Sequence, residues 1–286
     1  MANRLGHPMA PGGGAGRGDD ALQRAMFALN SERPHEAERF AGEVLRADPR
    51  NALALHVFGC ALLMQGRAQD AIAPLETAAR GRHDPKIETL IAIALRQAGR
   101  PEDALSWLKC ATKRQPPHAP AFHEFGCLLS LLGRDDEAIE AFRRGLEIAP
   151  MMPELSTQLG YVLLRRRNYA AAKVAFARAL DISPGSPVAL SGLAKAHQGI
   201  GENAAAAGYF RSYVMSRPND ADAWLQLGYC LLELGDFDAG CECFRTASRG
   251  DPQNYGNALA ALVKSGRGRF WLKPSAAARF LLGTKS

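Results

Sequence analysis

The sequence has no run of about 18 or more apolar residues, so no membrane-spanning helix is expected. Its opening stretch, MANRLGHPMAPGGGAGRGDD, has no apolar core segment of the kind a secretory signal needs. It has no nucleophile elbow and no dinucleotide fingerprint. GGGAGRG at 12–18 resembles a phosphate loop only superficially, because no strand precedes it and no Lys-Ser/Thr follows. Acidic residues are missing after Asp251, whereas 255–286 holds Lys264, Arg267, Arg269, Lys273, Arg279 and Lys285. Residues 1–254 carry 29 basic and 29 acidic side chains, so the net charge of +6 belongs wholly to the tail. A nucleic-acid partner for the rest of the chain has no electrostatic support. Six cysteines, most at apolar or half-buried helical positions, fit a reduced, cytoplasmic protein that uses Cys as a small hydrophobe. Arg outnumbers Lys by 27 to 8, and Ala and Gly are abundant, as in bacteria with GC-rich genomes.

What the sequence does have is a period. Pro116, Pro150, Pro184, Pro218 and Pro252 are each 34 residues apart. Small residues recur at Ala37, Ala71, Ala104, Ala138, Ala172, Ala206 and Gly240, with one step of 33 among steps of 34. Gly59 to Gly126 and Pro49 to Pro116 are both 67, so a single residue is missing between Ala71 and Ala92. Fixed self-similarity of this length marks a repeat architecture.

Each period reads as two amphipathic helices. In 119–152, Phe122, Phe125, Gly126 and Leu129 share one helical face, and Ala138, Ile139, Phe142, Gly145 and Leu146 share another. Gly133 stops the first helix, Asp135 opens the second and Pro150 ends it. The same stop slot holds Gly66, Gly99, Gly201 and Gly235, with Arg167-Asn168 in its place in one repeat. Asn is expected to take the left-handed conformation there. Gly126 and Ala138 are expected to face each other as the smallest residues of the pair, so that close packing offsets the poor helix propensity of Gly.

Trp224, Leu227, Gly228, Leu231, Gly240, Phe244, Ala247 and Pro252 follow the W-x2-L-G-x2-Y, A-x3-F, P pattern in a 34-residue frame. This pattern resembles the tetratricopeptide repeat (TPR) family. Departures are Ala25 and Ala92 at the Gly slot and Gly240 at the Ala slot. Seven repeats are expected: 18–51, 52–84, 85–118, 119–152, 153–186, 187–220 and 221–254, covering 237 of 286 residues. Residues 1–17 are expected as a disordered Gly-rich arm and 255–286 as a basic capping helix and tail. The resemblance implies an all-α fold, an α-solenoid (right-handed superhelix) of about seven helix pairs with a concave groove. Stacking is required physically, because one pair cannot bury its apolar face alone.

The resemblance also implies which side chains face the groove: His56, Cys60, His123, Glu124, Cys127, Gln158, Tyr161, Lys195, Gln226 and Tyr229 are the candidate partner-binding residues. The family's carboxylate clamp is absent, with Leu22, Met26, Val57, Cys60, Thr89 and Leu90 in comparable places. Its Asn ladder is absent too, where Val57, Leu90, Glu124, Gln158, Gly192 and Gln226 stand. His56-x3-Cys60 and His123-x3-Cys127 each put two ligand types on one helix face, but nothing completes a four-ligand zinc site, so no metal and no cofactor is expected. Carboxylates such as Asp135, Asp136 and Glu137 sit at a helix start, where they favour the dipole.

No enzyme activity is expected. The function implied is a non-enzymatic interaction scaffold that binds a peptide or protein in the groove. The alternative is a TPR-type chaperone or assembly factor for a secretion or membrane-associated system. There the basic tail (Arg267, Arg269, Trp271, Lys273, Arg279) would contact a partner or an anionic membrane surface peripherally. End-to-end stacking of solenoids is a route to oligomers.

Overall fold

The computed structural model describes residues 15–251, 253–264 and 281. Arg267, Arg269, Trp271, Lys273 and Arg279 lie outside them, as does most of the stretch expected as an arm. The described residues form helices joined by short turns, with no strand among them. Two compact units divide the chain, residues 1–129 and 130–286.

The first unit contains α1 (Ala15–Asn30), α2 (Pro34–Ala47), α3 (Ala52–Met64), α4 (Ala68–Ala79), α5 (Pro85–Gln97) and α6 (Pro101–Ala111). Each helix packs on the next, and the first helices α1, α3 and α5 also touch in sequence. α1 and α2 pack as a helix pair, with Ala25, Ala37, Ala41 and Val44 buried. α7 (Ala119–Leu131) carries the chain from one unit into the other.

The second unit contains α8 (Asp135–Ile148), α9 (Pro153–Arg165), α10 (Tyr169–Ile182), α11 (Pro187–Gly199), α12 (Asn203–Ser216), α13 (Ala221–Glu233), α14 (Phe237–Gly250) and α15 (Gln253–Lys264). Successive helices again pack in order, and α15 lies on both α13 and α14. Its Ala258 and Leu262 join Leu225, Phe244, Ala247 and Leu281 in one apolar cluster that covers the last repeat.

Local chemistry explains the boundaries. Asn51, Asp84, Asn168, Ser186, Asp220 and Asp236 cap helix starts by accepting backbone N–H bonds. Between the helices of a pair, Gly66, Gly99, Gly133, Gly201 and Gly235 take positive φ of 74–82°. In the fifth repeat the structure corrects the expectation for Asn168. Arg167 takes the left-handed backbone (φ 56°), while Asn168 caps α10 by accepting from Ala171 N–H. Asn gains more as a cap, where its side-chain oxygen is used, than as a turn residue where it is not. Glu32 plays the same strained part in the first repeat, at φ 55°.

The core repeats with the sequence. Phe142, Phe176, Phe210 and Phe244, 34 residues apart, are all buried to 1 % exposure or less. At the equivalent glycines of three other repeats the contact is not small-on-small. A Cβ on Gly59 would meet Leu75 at 2.5 Å, one on Gly160 would meet Phe176 at 2.7 Å, and one on Gly228 would meet Phe244 at 2.6 Å. In these repeats the slot admits the largest core side chain of the second helix. Small-on-small approach exists as well, at Gly240, whose Cβ would lie 3.3 Å from the Gly228 carbonyl oxygen.

Candidate functional site

In the second unit, α11, α12, α13 and the terminal α15 bring polar side chains together. A cavity of about 390 Å³ opens there. α11 contributes Ser191 and Lys195, α12 Tyr213, α13 Asp220, Asp222 and Gln226, and α15 Asn254 and Asn257. The floor is apolar, from Phe210 and Leu225, both core residues of the helix pairs.

The rim is fixed by its own hydrogen bonds. Asp220 accepts the backbone N–H of Ala223 with one oxygen (3.0 Å) and the Tyr213 hydroxyl with the other (2.7 Å). The Asp220 hydrogen bond, burial and the carboxylate charge together push the Tyr213 phenol up to about 12. Asn254 donates to Asp222 (3.1 Å) and is itself buried. Lys195 is exposed, and among the described residues it forms no ion pair. The cavity therefore offers one ammonium group, the carboxylates of Asp220 and Asp222, and carboxamides from Gln226 and Asn257, with Asn254 bonded to Asp222. Carboxamides both donate and accept, which matches the alternating N–H and C=O groups of an extended polypeptide.

Of the sequence-predicted residues, Lys195 and Gln226 line this cavity. Tyr161 and Tyr229 are not in its lining, but each bonds a residue that is. Each lays its ring edge-on against a buried Phe, Tyr161 on Phe176 (5.2 Å between centroids) and Tyr229 on Phe244 (5.4 Å). Their hydroxyls reach the neighbouring helix, Tyr161 to Ser191 and Tyr229 to the Asn257 carbonyl at 3.3 Å. Burial raises both phenols above their ordinary pKa, and for Tyr161 the Ser191 bond opposes it. Gln158 is half-buried on α9, outside the cavity lining.

His56, Cys60, His123, Glu124 and Cys127 belong to the first unit. His56 is half-buried, and burial lowers its pKa, opposed by the charge of Asp84 and aided by that of Lys86. Burial pushes the Cys60 thiol up to about 11. His123 bonds Glu124 through Nδ1 (3.3 Å) and Cys127 Sγ through Nε2 (3.7 Å), and Arg96 donates to Glu124 (3.2 Å).

Sequence reasoning missed Tyr213, Asp220, Asp222, Asn254 and Asn257. Asp220 carried a signal, since its spacing to Ala223 is that of an N-cap. The others carried none, because the cavity is completed by a second helix and by α15, which the sequence marked only as a cap.

A fold of consecutive helix pairs in a 34-residue frame defines a helical-repeat protein. The tetratricopeptide repeat profile matches residues 22–86, 89–153, 125–187 and 191–255, and the chain belongs to that family. It is 27 % identical over 230 residues to protein FlbA of Caulobacter vibrioides, covering 79 % of this chain and 38 % of FlbA. It is 27 % identical over 117 residues to the small glutamine-rich tetratricopeptide repeat-containing protein 2 of Mycosarcoma maydis, covering 41 % of this chain and 31 % of that one. The chain thus spans about a third of the length of these relatives. Among solved structures, the C-terminal part of a TPR protein from Cytophaga hutchinsonii superposes with a TM-score of 0.67 at 14 % identity, over 84 % of this chain and 99 % of that one. PilF of Pseudomonas aeruginosa superposes at 0.64 and 17 % identity, over 79 % of this chain and 98 % of that one. MamA of Desulfovibrio magneticus gives 0.56 at 21 % identity, over 60 % of this chain and 97 % of that one. These likenesses establish the fold. The repeats indicate a protein-interaction scaffold. Among the described residues no helix is long and apolar enough to cross a membrane.

Proposed function

We propose that the chain holds an extended peptide segment of a protein partner in the cavity between α11, α13 and α15. The supporting observation is the set of carboxamides from Gln226, Asn254 and Asn257 beside Lys195, above an apolar floor. The stacked helices are formed before the ligand arrives, so ordering cost falls on the peptide rather than the scaffold. Lys195 would meet a carboxylate or carbonyl of the peptide, and Phe210 and Leu225 an apolar side chain between two polar contacts. The chaperone or assembly-factor alternative rests on tail residues outside the described part of the chain, and no described feature favours it.

Selection of displayed random peptides on the full chain tests this reading. Wild type is run beside Lys195→Ala/Gln226→Ala/Asn257→Ala, a variant that leaves the helix-pair cores untouched. Peptides enriched on wild type and lost on the variant are expected. Enrichment of the same peptides on both would place binding elsewhere and overturn the assignment.

A further inference from the structure

We propose that Cys127, His123 and Glu124 on α7 form a thiol-activation site, at which Cys127 is oxidised by a small hydroperoxide. The three side chains are arranged as nucleophile, base and orienter. His123 Nε2 lies 3.7 Å from Cys127 Sγ, and its Nδ1 lies 3.3 Å from Glu124 Oε1. Glu124 is held in turn by Arg96 from α5, whose Nη2 donates to Oε2 at 3.2 Å. With the imidazole proton on Nδ1 facing the carboxylate, the Nε2 lone pair faces the thiol. Cys127 is half-buried rather than sealed in the core, so a small reagent reaches it.

Charge favours the proton transfer. Burial disfavours the His123 imidazolium, but the bonds to Cys127 and Glu124 and their charges outweigh it, and the pKa is raised. Burial likewise works to raise the Glu124 pKa, but His123 and Arg96 outweigh it and keep the carboxylate ionised. The charged or titratable groups facing His123 include Cys127 and Glu124 on its own helix, with Arg96 of α5 acting through Glu124.

The same chain contains a matched comparison. His56 and Cys60 stand at the same spacing on α3, but the residue after the histidine is Val57, where α7 has Glu124. Without the carboxylate, burial acts alone on the Cys60 thiol and pushes it up to about 11. Cys110 is exposed and provides a second comparison, a thiol reachable by solvent. The motif is therefore shared, and the neighbouring Glu distinguishes the reactive copy.

The chemistry balances as follows. His123 Nε2 takes the Cys127 thiol proton. The sulfur attacks the terminal oxygen of the hydroperoxide, an S–O bond forms and the O–O bond breaks. The departing oxygen leaves with the electron pair and takes the proton from His123 Nε2. The products are Cys127 sulfenic acid and water, or an alcohol from an organic hydroperoxide. Sulfur loses two electrons and the peroxide gains them.

The test treats the full chain with substoichiometric hydrogen peroxide at pH 6 in the presence of dimedone and maps the adducts by peptide mass spectrometry. A positioned base contributes at least about tenfold, so Cys127 is expected to be labelled about tenfold more than Cys60 or Cys110. His123→Gln is expected to bring Cys127 down to the level of Cys110. Labelling within twofold of Cys110 in wild type, or unchanged by His123→Gln, overturns the proposal. Should His123→Gln fail to fold, the wild-type pH profile decides. An unassisted thiol slows about tenfold from pH 7 to pH 6. Cys127 is expected to slow less than threefold, and a full tenfold loss overturns the proposal. Glu124→Gln should steepen that profile while leaving the helical content unchanged, which marks Glu124 as a positioning residue.

Discussion

The ring of Phe176 lies over Gly160 so closely that a Cβ on the glycine would stand 2.7 Å from the ring carbons Cε2 and Cζ. The ring also blocks a Cβ on Gly192 from the next repeat, so one Phe is seated between two glycines of successive first helices. Gly160→Ala is expected to destabilise the protein by about 1–3 kcal/mol through overpacking. Phe176→Leu in the same chain should recover part of that loss. Gly208→Ala on α12 is the control, since its Cβ meets nothing within 4 Å and helix propensity should add about 0.5–1 kcal/mol. Urea denaturation of the four proteins gives the comparison.

Arg167 is the one residue in its turn slot of the second unit without the freedom of glycine, at φ 56°. Arg167→Gly should stabilise by about 0.5–1 kcal/mol, once the greater unfolded-chain entropy of Gly is subtracted from the relief of left-handed strain. A higher urea midpoint with an unchanged slope is the expected result. A lower midpoint would mean that the Arg167 side chain contributes more than its backbone costs.

The Tyr213–Asp220 bond makes stability fall in strongly alkaline solution. The folded pKa of Tyr213, about 12, lies above the unfolded value near 10, so the folded state binds this proton more tightly. The contribution is complete below about pH 10 and disappears as pH rises toward 12. Tyr213→Phe is expected to cost about 1 kcal/mol at pH 8, partial exposure reducing the value of the charged hydrogen bond. The gap between wild type and variant should close by about pH 11.5, measured by chemical denaturation across that range.

Glu88 is a carboxylate with 2 % exposure, and Arg114 holds both of its oxygens, with Nη2 at 2.7 Å and Nε at 3.1 Å and 3.2 Å. Removing one partner leaves a buried charge unpaired, which is worse than removing both. Arg114→Met should therefore lower the melting temperature clearly, and Arg114→Met/Glu88→Met should recover most of the loss. A double variant no better than the single would show that Arg114 acts through packing alone.

The sequence by itself determined the period, and with it the helix pairs and the glycine turns between them. Each of these follows from spacing within one repeat: Gly133 turns the chain and Pro150 ends a helix. The family resemblance pointed to Lys195 and Gln226, and both line the cavity. The tertiary structure decided what those positions meet. Gly160 was visible as an oddity, but only packing showed that it admits Phe176 rather than another small residue. Asn168 looked like the turn residue until backbone geometry gave that part to Arg167. Asn254 and Asn257 entered the cavity because α15 folds onto α13, a contact between segments that no local pattern specifies. His56-x3-Cys60 and His123-x3-Cys127 share a spacing and differ in sequence by Val57 against Glu124, but the partner that holds Glu124 was not legible there. That partner is Arg96, 28 residues from Glu124 in the chain and 3.2 Å from it in space. Local hydrogen bonding and helical periodicity are encoded by near neighbours, whereas the electrostatics of a site depend on groups that only the fold brings together.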